Sequence, residues 1–304
     1  MPQDINDITV IMATYNGSKY LEAQMESIIG QSHKPYRIRV FDDVSSDNTL
    51  QLLKTYEKRT NIEVIQRPQN LGVIRNLKAA LATIDGPEYI ALADQDDIWL
   101  PQKLEISLGA LKEIDIDPKK PALVYSDLMV IDKAGQHVSD SFWEILGLSK
   151  YQHVLSTLVY GNVVTGCASL MNAALLPYAQ DIPEDLSTYH DAWLALCAFC
   201  FGRVKTIKTP LIQYRLHPEN LTFYSSDVPK IKDRIKTHWR LLTRKDKFMQ
   251  EQFALVERFL KVYNSQLKEE DRRVLKRFLS SRNKSYIQQK MIMRSTFKPY
   301  WLKK

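Results

Sequence analysis

Along the first hundred residues, short β-branched apolar runs alternate with stretches where apolar positions recur every three or four residues. Ile8-Thr-Val-Ile-Met-Ala13 is such a run, the pattern of a strand buried on both faces. A helix is predicted from Ser18 to Ile29, with Leu21, Met25 and Ile28 on one face and Gly30 just past its end. Arg37 to Phe41 reads as a second strand. Asp47 is placed to cap a helix whose apolar face carries Leu50, Leu53 and Tyr56. Ile62 to Ile65 is a third strand, Leu71 to Ile84 a helix stopped by Gly86-Pro87, and Tyr89 to Ala93 a fourth strand. This β-α-β-α-β-α-β alternation implies a parallel sheet with helices on both faces.

Beyond Pro101 the pattern is mixed. Leu123 to Ser126 and Val164 to Met171 look like strands, with a variable segment at 139–160 between them. His190 to Phe201 is apolar nearly all round, as a buried helix would be, and Arg203 to Ile207 and Leu211 to Arg215 resemble strands. From Pro229 onward glycine disappears and basic helical patterning takes over. A boundary near residue 226 is therefore expected, with an α/β domain over 1–226 and a basic amphipathic helical extension over 227–304.

Charge sharpens that division. Residues 1–227 carry 20 Lys and Arg against 28 Asp and Glu, a net of −8, whereas residues 228–304 carry 22 against 7, a net of +15. An acidic front and a basic tail suggest different partners. No apolar run approaches the roughly 20 residues that span a bilayer, and Met1 to Asp7 lacks a basic leader. A cytoplasmic protein with reduced thiols is the expectation. Cys197 and Cys200 form a C-x-x-C inside the apolar helix; without a second ligand pair nearby they read as core residues, not as a zinc site.

Asp94-Gln95-Asp96-Asp97 follows the fourth strand directly. Ligands of open α/β sheets bind beyond the carboxyl ends of strands. Carboxylates crowded there repel one another unless solvated or held by a cation, and oxygen ligands suit Mn²⁺ or Mg²⁺. A solvated acidic turn is the plain alternative. Asp42-Asp43 closes the second strand in the same way and would accept hydrogen bonds from a base N–H or ribose hydroxyls; alone, it reads equally as a polar turn.

Taken together, Ala13-Thr-Tyr-Asn16, Asp42-Asp43-x-Ser-Ser-Asp47, Asn70-Leu-Gly72 with Arg75-Asn76, and Asp94-Gln-Asp-Asp-Ile-Trp99 resemble the family 2 glycosyltransferases of GT-A fold, most of all the rhamnosyltransferase-like enzymes of bacterial cell-surface polysaccharide assembly. The resemblance covers roughly residues 7–222. It implies a GT-A domain with a nucleotide-sugar donor (dTDP-rhamnose or a UDP-sugar) and a divalent cation. It places Ala13, Thr14 and Tyr15 along the base pocket, Asp43 against the base N–H with Asp42 beside it, and Arg75 facing the donor. Asp94 and Asp96 match the Asp-x-Asp pair, Asp96 as the direct metal ligand, with Gln95 between them on the donor side. Asp191, in His190-Asp191-Ala-Trp193, matches the catalytic base, and His217, in Tyr214-Arg-Leu-His217, a late histidine of the metal or diphosphate site.

The chemistry suits such roles. A departing sugar diphosphate is an anion whose developing charge must be neutralised. A hydroxyl acceptor needs a carboxylate to take its proton, and a single base suffices for direct, inverting displacement. Plain alternatives are a helix cap for Asp191 and a loop histidine for His217. Val44 stands where relatives carry glycine, so that turn is expected to differ. The chain lacks the Gln-x-x-Arg-Trp of processive synthases, which favours one sugar per encounter.

The tail sets Ile231, Trp239, Phe248, Phe253, Val256, Phe259, Phe278 and the terminal Phe297-Lys-Pro-Tyr-Trp-Leu-Lys-Lys304 among many cations. Such segments lie on anionic membrane surfaces, here the inner leaflet carrying a lipid-diphosphate-linked acceptor, or pack on the catalytic domain or a second subunit as a homodimer contact. Three other functions fit less well. A sugar-phosphate nucleotidyltransferase would show a basic Gly-rich loop after the first strand. A nucleic-acid binder would carry a recognised module and no acidic front. An inactive glycan-binding scaffold would not keep Asp94, Asp96 and Asp191.

Overall fold

The computed structural model describes residues 8–59, 61–86, 89–185, 190–217 and 249–300. The first apolar run becomes β1 (Ile8–Thr14), with Ile8, Val10, Ile11 and Met12 almost wholly out of solvent. The chain then alternates α1 (Ser18–Ile29), β2 (Arg37–Asp42), α2 (Thr49–Glu57), β3 (Ile62–Gln66), α3 (Val73–Leu81) and β4 (Tyr89–Ala93). α1 buries Leu21, Met25 and Ile28, the face their spacing prescribes, and Gly30 occupies its C-cap. Burial of each is worth about 1.5–3 kcal/mol. That stripe, more than intrinsic propensity, holds the helix on the sheet.

Two helices start later than their sequence suggests. α2 begins at Thr49 with Asn48 in the N-cap position, but Asp47 still serves it: its Oδ1 accepts the Thr49 N–H at 3.0 Å. α3 begins at Val73 and ends at Leu81, well inside the expected Leu71 to Ile84. At its start, the Leu71 and Gly72 N–H groups donate to the Asp43 carboxylate, and Gly72 has a φ of 75°, a conformation glycine adopts freely.

Next come β5 (Ile98–Trp99), α4 (Lys103–Lys112), β6 (Ala122–Ser126), β7 (Met129–Asp132), β8 (His137–Ser139), the short helices α5 (Phe142–Leu146) and α6 (Leu155–Leu158), and β9 (Ser169–Asn172). The expected strand over Val164 to Met171 is only partly strand: Gly166–Ala168 forms a 3-10 turn, held by Ser169 Oγ donating to the Gly166 carbonyl at 2.7 Å. α7 (Leu176–Ala179), α8 (His190–Phe201), β10 (Arg203–Ile207) and β11 (Ile212–Leu216) follow. α8 buries eight consecutive or near-consecutive apolar positions, Ala192 to Ala198 and Cys200. Its two cysteines are free thiols in the core, as expected.

Seven strands form one mixed sheet in the order β10-β6-β9-β4-β1-β2-β3. β1 runs parallel to β2 and β4, and β2 parallel to β3. β9 is antiparallel to β4 and β6. A four-stranded sheet, β5-β11-β7-β8, adjoins the acidic loop. In the β1 register Thr14 faces Asp42 and Met12 faces Ala93, so the acids after β2 and β4 emerge at one edge on either side of β1.

The chain divides into two compact units, residues 1–142 with 164–215, and residues 143–163 with 216–304. The boundary expected near residue 226 lies outside the described residues, as do Ile231, Trp239, Phe248 and Trp301 to Lys304 of the tail. The second unit contains α6 and three C-terminal helices, α9 (Gln250–Tyr263), α10 (Glu269–Leu279) and α11 (Tyr286–Phe297). Phe253, Val256, Phe259, Leu275, Phe278 and Phe297 are all buried. These apolar residues build a core and do not form an exposed face. No helix among the described residues is long and apolar enough to cross a membrane.

Candidate functional site

Asp42, at the end of β2, is fully buried and committed to its own loop. Its Oδ1 accepts from Thr14 Oγ1 (3.1 Å) and Ser45 Oγ (2.5 Å), and its Oδ2 from the Ser45 N–H (3.0 Å). A buried carboxylate needs such donors. Val44, one step on, takes a left-handed φ of 64°. The turn that relatives build with glycine is therefore formed by a β-branched residue under strain.

Asp43, 4% exposed, grips the next loop. Its Oδ1 accepts the Leu71 N–H at 2.7 Å, its Oδ2 the Gly72 N–H at 2.8 Å, and its carbonyl accepts from Asn70 Nδ2 at 2.9 Å. A carboxylate has about four lone-pair sites, so these bonds position it and leave acceptor capacity to spare. Asn76, buried beneath, donates to the Phe41 carbonyl at 2.9 Å and accepts from Arg67 Nε at 2.8 Å. Arg75, the expected donor-facing cation, is exposed and paired with Glu184 at 2.7 Å.

The acidic loop is stitched to the end of β1. Gln95 Oε1 accepts the Tyr15 N–H at 2.9 Å and its Nε2 donates to the Tyr15 carbonyl at 3.0 Å. Gly17 makes room for this, since a Cβ there would lie 2.1 Å from Gln95 Oε1. On the other side Arg215 of β11 donates its backbone N–H to Asp97 Oδ1 (3.1 Å) and its Nε to the Asp96 carbonyl (2.9 Å), while its guanidinium lies over Tyr20.

Within the loop, Asp94, Asp97 and Cys167 bring ligand atoms within 4.8 Å of one another. Asp97 is wholly buried, and its Oδ2 has no hydrogen-bond partner among the described residues. Burial, then the charges of Asp96 and Asp94, push its carboxyl well up. Asp94 keeps accessible surface, yet the protein packed around it displaces enough water to push its carboxyl up to about 6. The Asp96 charge adds to this, while His190 and Cys167 act against it. Lys103 is fully buried with Nζ 3.6 Å from the Trp99 ring centroid and no hydrogen-bond partner among the described residues. Burial brings it down to about 7, against the pull of Cys167 and Asp97.

Asp191 opens α8, and its Oδ1 accepts the Ala192 N–H at 2.6 Å. Its charge adds to the upward shift of Asp94, whereas the neighbouring His190 opposes it. Gly166 packs against both: a Cβ on it would lie 3.0 Å from His190 Nε2 and 3.6 Å from Asp191 Cβ. Asp94, Asp96, Asp97 and Asp191 thus act on one electrostatic region. His217, buried immediately after β11, belongs to the second compact unit.

A divalent cation fits this loop. Like charges pressed together, two carboxyls pushed up and a buried carboxylate oxygen without a partner are all relieved by a hard cation. Asp94 and Asp97 supply suitable oxygens. Cys167 does not, because burial drives its thiol well up and keeps it protonated. Asp96, the acid expected to ligate, is outside the grouped trio.

Comparison with known proteins settles the family. The profile of glycosyl transferase family 2 matches residues 9–171, more than half of the chain. The chain belongs to that family. TuaG of Bacillus subtilis, a glycosyltransferase named for teichuronic acid biosynthesis, is 28% identical over 54% of this chain and 61% of its own length. The dTDP-rhamnosyl transferase RfbG of Shigella flexneri is 32% identical over 33% of this chain and 36% of its own. Matches to these relatives thus span less than two thirds of their lengths. Residues 1–349 of S. aureus TarS, solved in complex with UDP, superpose with a TM-score of 0.58 and 17% identity over 98% of this chain and 93% of that one. The fold of this family 2 member is GT-A.

Several residues that build the site were not singled out from sequence. Asp97 stood in the acidic motif and its lack of a partner appears only once burial is known. Lys103 follows Trp99 by four residues, a weak hint of a pair. Nothing local marks Arg215 or Cys167, which reach the loop from far along the chain.

Proposed function

We propose that this family 2 enzyme is an inverting, non-processive, metal-dependent glycosyltransferase of cell-surface polysaccharide synthesis. It moves a sugar from a nucleotide-sugar donor to a hydroxyl of a glycan or lipid-linked glycan. One observation carries the reading: carboxylates after β2, after β4 and at the start of α8 gather at the carboxyl edge around β1, with one buried oxygen left unpaired. Rhamnose from dTDP-rhamnose is the favoured donor, supported by the motif resemblance and by the name of RfbG. A UDP-hexose is the second reading, favoured by TarS having been solved with UDP-GlcNAc.

In this proposal Ala13, Thr14 and Tyr15 line the base, and Asp43 accepts its N–H from a carboxylate fixed by Leu71 and Gly72. Asp42 holds the turn. Asp94 and Asp96, with Asp97 beside them, would hold a divalent cation that neutralises the diphosphate. His217 enters on the resemblance alone, as does Arg75, which would exchange Glu184 for the donor. Asp191 takes the acceptor proton as the hydroxyl oxygen attacks the anomeric carbon. The bond from that carbon to the diphosphate oxygen breaks, and its electron pair leaves with the nucleoside diphosphate. The Ala192 N–H, donating to Oδ1 at 2.6 Å, aims Asp191.

A thermal-shift panel of dTDP-rhamnose and UDP-sugars, with and without Mn²⁺ or Mg²⁺, tests the donor and the metal together. Metal-dependent stabilisation by one donor identifies it. Asp191→Asn should retain that shift while losing about 10²–10⁴-fold in transfer rate. Normal turnover in that variant removes Asp191 from the mechanism.

A further inference from the structure

The second compact unit contains a cavity of about 160 Å³. Six of its lining residues carry its chemistry: Ser156, Tyr160, Arg277, Phe278, Thr296 and Tyr300. They come from α6 and the turn after it, from α10, and from α11 and the residues that follow. Tyr160 meets Phe278 edge-on at 4.9 Å, which fixes the aromatic wall.

Three hydroxyls on this wall are buried without a hydrogen-bond partner among the described residues: Ser156 Oγ, Tyr160 OH and Thr296 Oγ1. Ser156 is 5% exposed and Tyr160 8%. Burial pushes the Tyr160 phenol up, while a hydrogen-bonding contact with Thr296 and then the charge of Arg277 act against that. The Thr296 contact falls short of the geometry that would satisfy either hydroxyl. An unmade buried hydrogen bond is costly, and native structures keep few. Three around one cavity indicate a polar occupant. The Arg277 guanidinium lies at the cavity with no ion pair among the described residues, and its residue is exposed.

The set of groups is selective. Aromatic side chains present faces that attract C–H groups, hydroxyls both donate and accept, and a guanidinium binds a carboxylate or phosphate through two parallel bonds. A cavity of ~150 Å³ admits a six-membered ring. We propose that this cavity is a saccharide-binding site for one acidic pyranose, a sugar bearing a carboxylate or a phosphate. Ser156, Tyr160 and Thr296 hydrogen-bond the ring hydroxyls, and Arg277 holds the anion. The proposal goes beyond the transfer reading and does not depend on it.

Titration of the full chain with methyl glucuronide, methyl glucoside 6-phosphate, methyl glucoside and inorganic phosphate, followed by ligand-observed NMR and calorimetry, tests this site. Either acidic sugar should bind saturably and more tightly than methyl glucoside or phosphate; which acid is preferred separates the two sources. Arg277→Ala should weaken the acidic sugar about tenfold or more and bring it near the neutral one. Tyr160→Phe, which keeps the ring, should weaken it also. No saturable binding in the millimolar range overturns the site. So does binding untouched by both substitutions, or phosphate binding as tightly as the sugar phosphate. Tyr160→Phe and Thr296→Val that raise stability without any sugar binding would mark the cavity as merely hydrated. A nucleotide thermal shift on the same samples reports the donor site separately, so failure of one reading leaves the other measurable.

Discussion

Gln95 grips Tyr15 by both ends of its peptide-like amide, accepting from the backbone N–H at 2.9 Å and donating to the carbonyl at 3.0 Å. The side chain imitates one rung of a β-ladder and joins the acidic loop to the end of β1. The proposed base pocket and metal loop are thereby one piece. Gln95→Ala should cost about 1–3 kcal/mol, two bonds at roughly 0.5–1.5 each, and should weaken donor binding more than it slows the bound complex. Gly17→Ala should do the same by displacing the Gln95 amide. Denaturation together with kcat and KM checks both. A Gly17→Ala enzyme with unchanged KM would show that the clamp is not needed.

Asp47 ties the starts of two helices. Its Oδ2 accepts from the Ser18 N–H at 3.1 Å and Ser18 Oγ at 2.7 Å, and its Oδ1 from the Thr49 N–H at 3.0 Å and Thr49 Oγ1 at 2.5 Å. Desolvation raises its carboxyl, but the bonds from Thr49 and Ser18 outweigh this and hold it at about 2. A folded value below the unfolded one means the stabilisation is present above about 3.9 and is lost as pH falls toward 2. Asp47→Asn should therefore be less stable than wild type at pH 6, with the gap closing toward pH 2. Urea melts across that range measure it; a constant gap would contradict the assignment.

Lys103 gives the same direction of pH dependence in a higher window, because here the fold disfavours the charged form. Burial brings it to about 7, below its ordinary 10.5. Between those values the unfolded chain holds a proton that the folded chain lacks, so this group makes stability rise with pH. Wild type should gain stability from pH 7 to pH 9 relative to Lys103→Met, in which the titration is removed. Parallel pH dependences for the two proteins would mean Lys103 stays charged in the fold.

Val44 carries backbone strain at φ 64°. A left-handed conformation costs an L-residue roughly 1–2 kcal/mol, and glycine loses about 0.5–1 kcal/mol through its freer unfolded chain. Val44→Gly should raise stability by up to about 1 kcal/mol and leave donor binding intact. A lower melting temperature would show that the exposed Val44 side chain makes a contact that matters more than its strain.

The local patterns were legible where one residue's neighbours decide its state. The β1–α1–β2–α2–β3–α3–β4 alternation, the face of α1 and the bounds of α8 follow from apolar spacing alone, because burying a stripe or a strand depends on periodicity. The acids at the ends of β2 and β4 were equally readable, since parallel strands deliver their ends to one edge. Long-range choices were not. Asp43 reaching across 28 residues to Leu71, Arg215 reaching across 118 to Asp97, β9 entering antiparallel between β4 and β6, and residues 143–163 joining the C-terminal helices all depend on which segments meet. A hydrogen-bond donor reads the same in sequence whichever acceptor it finds. Periodicity determined the elements and their order, and tertiary packing decided which carboxylates are satisfied and that Asp97 keeps an oxygen without a hydrogen-bond partner among the described residues.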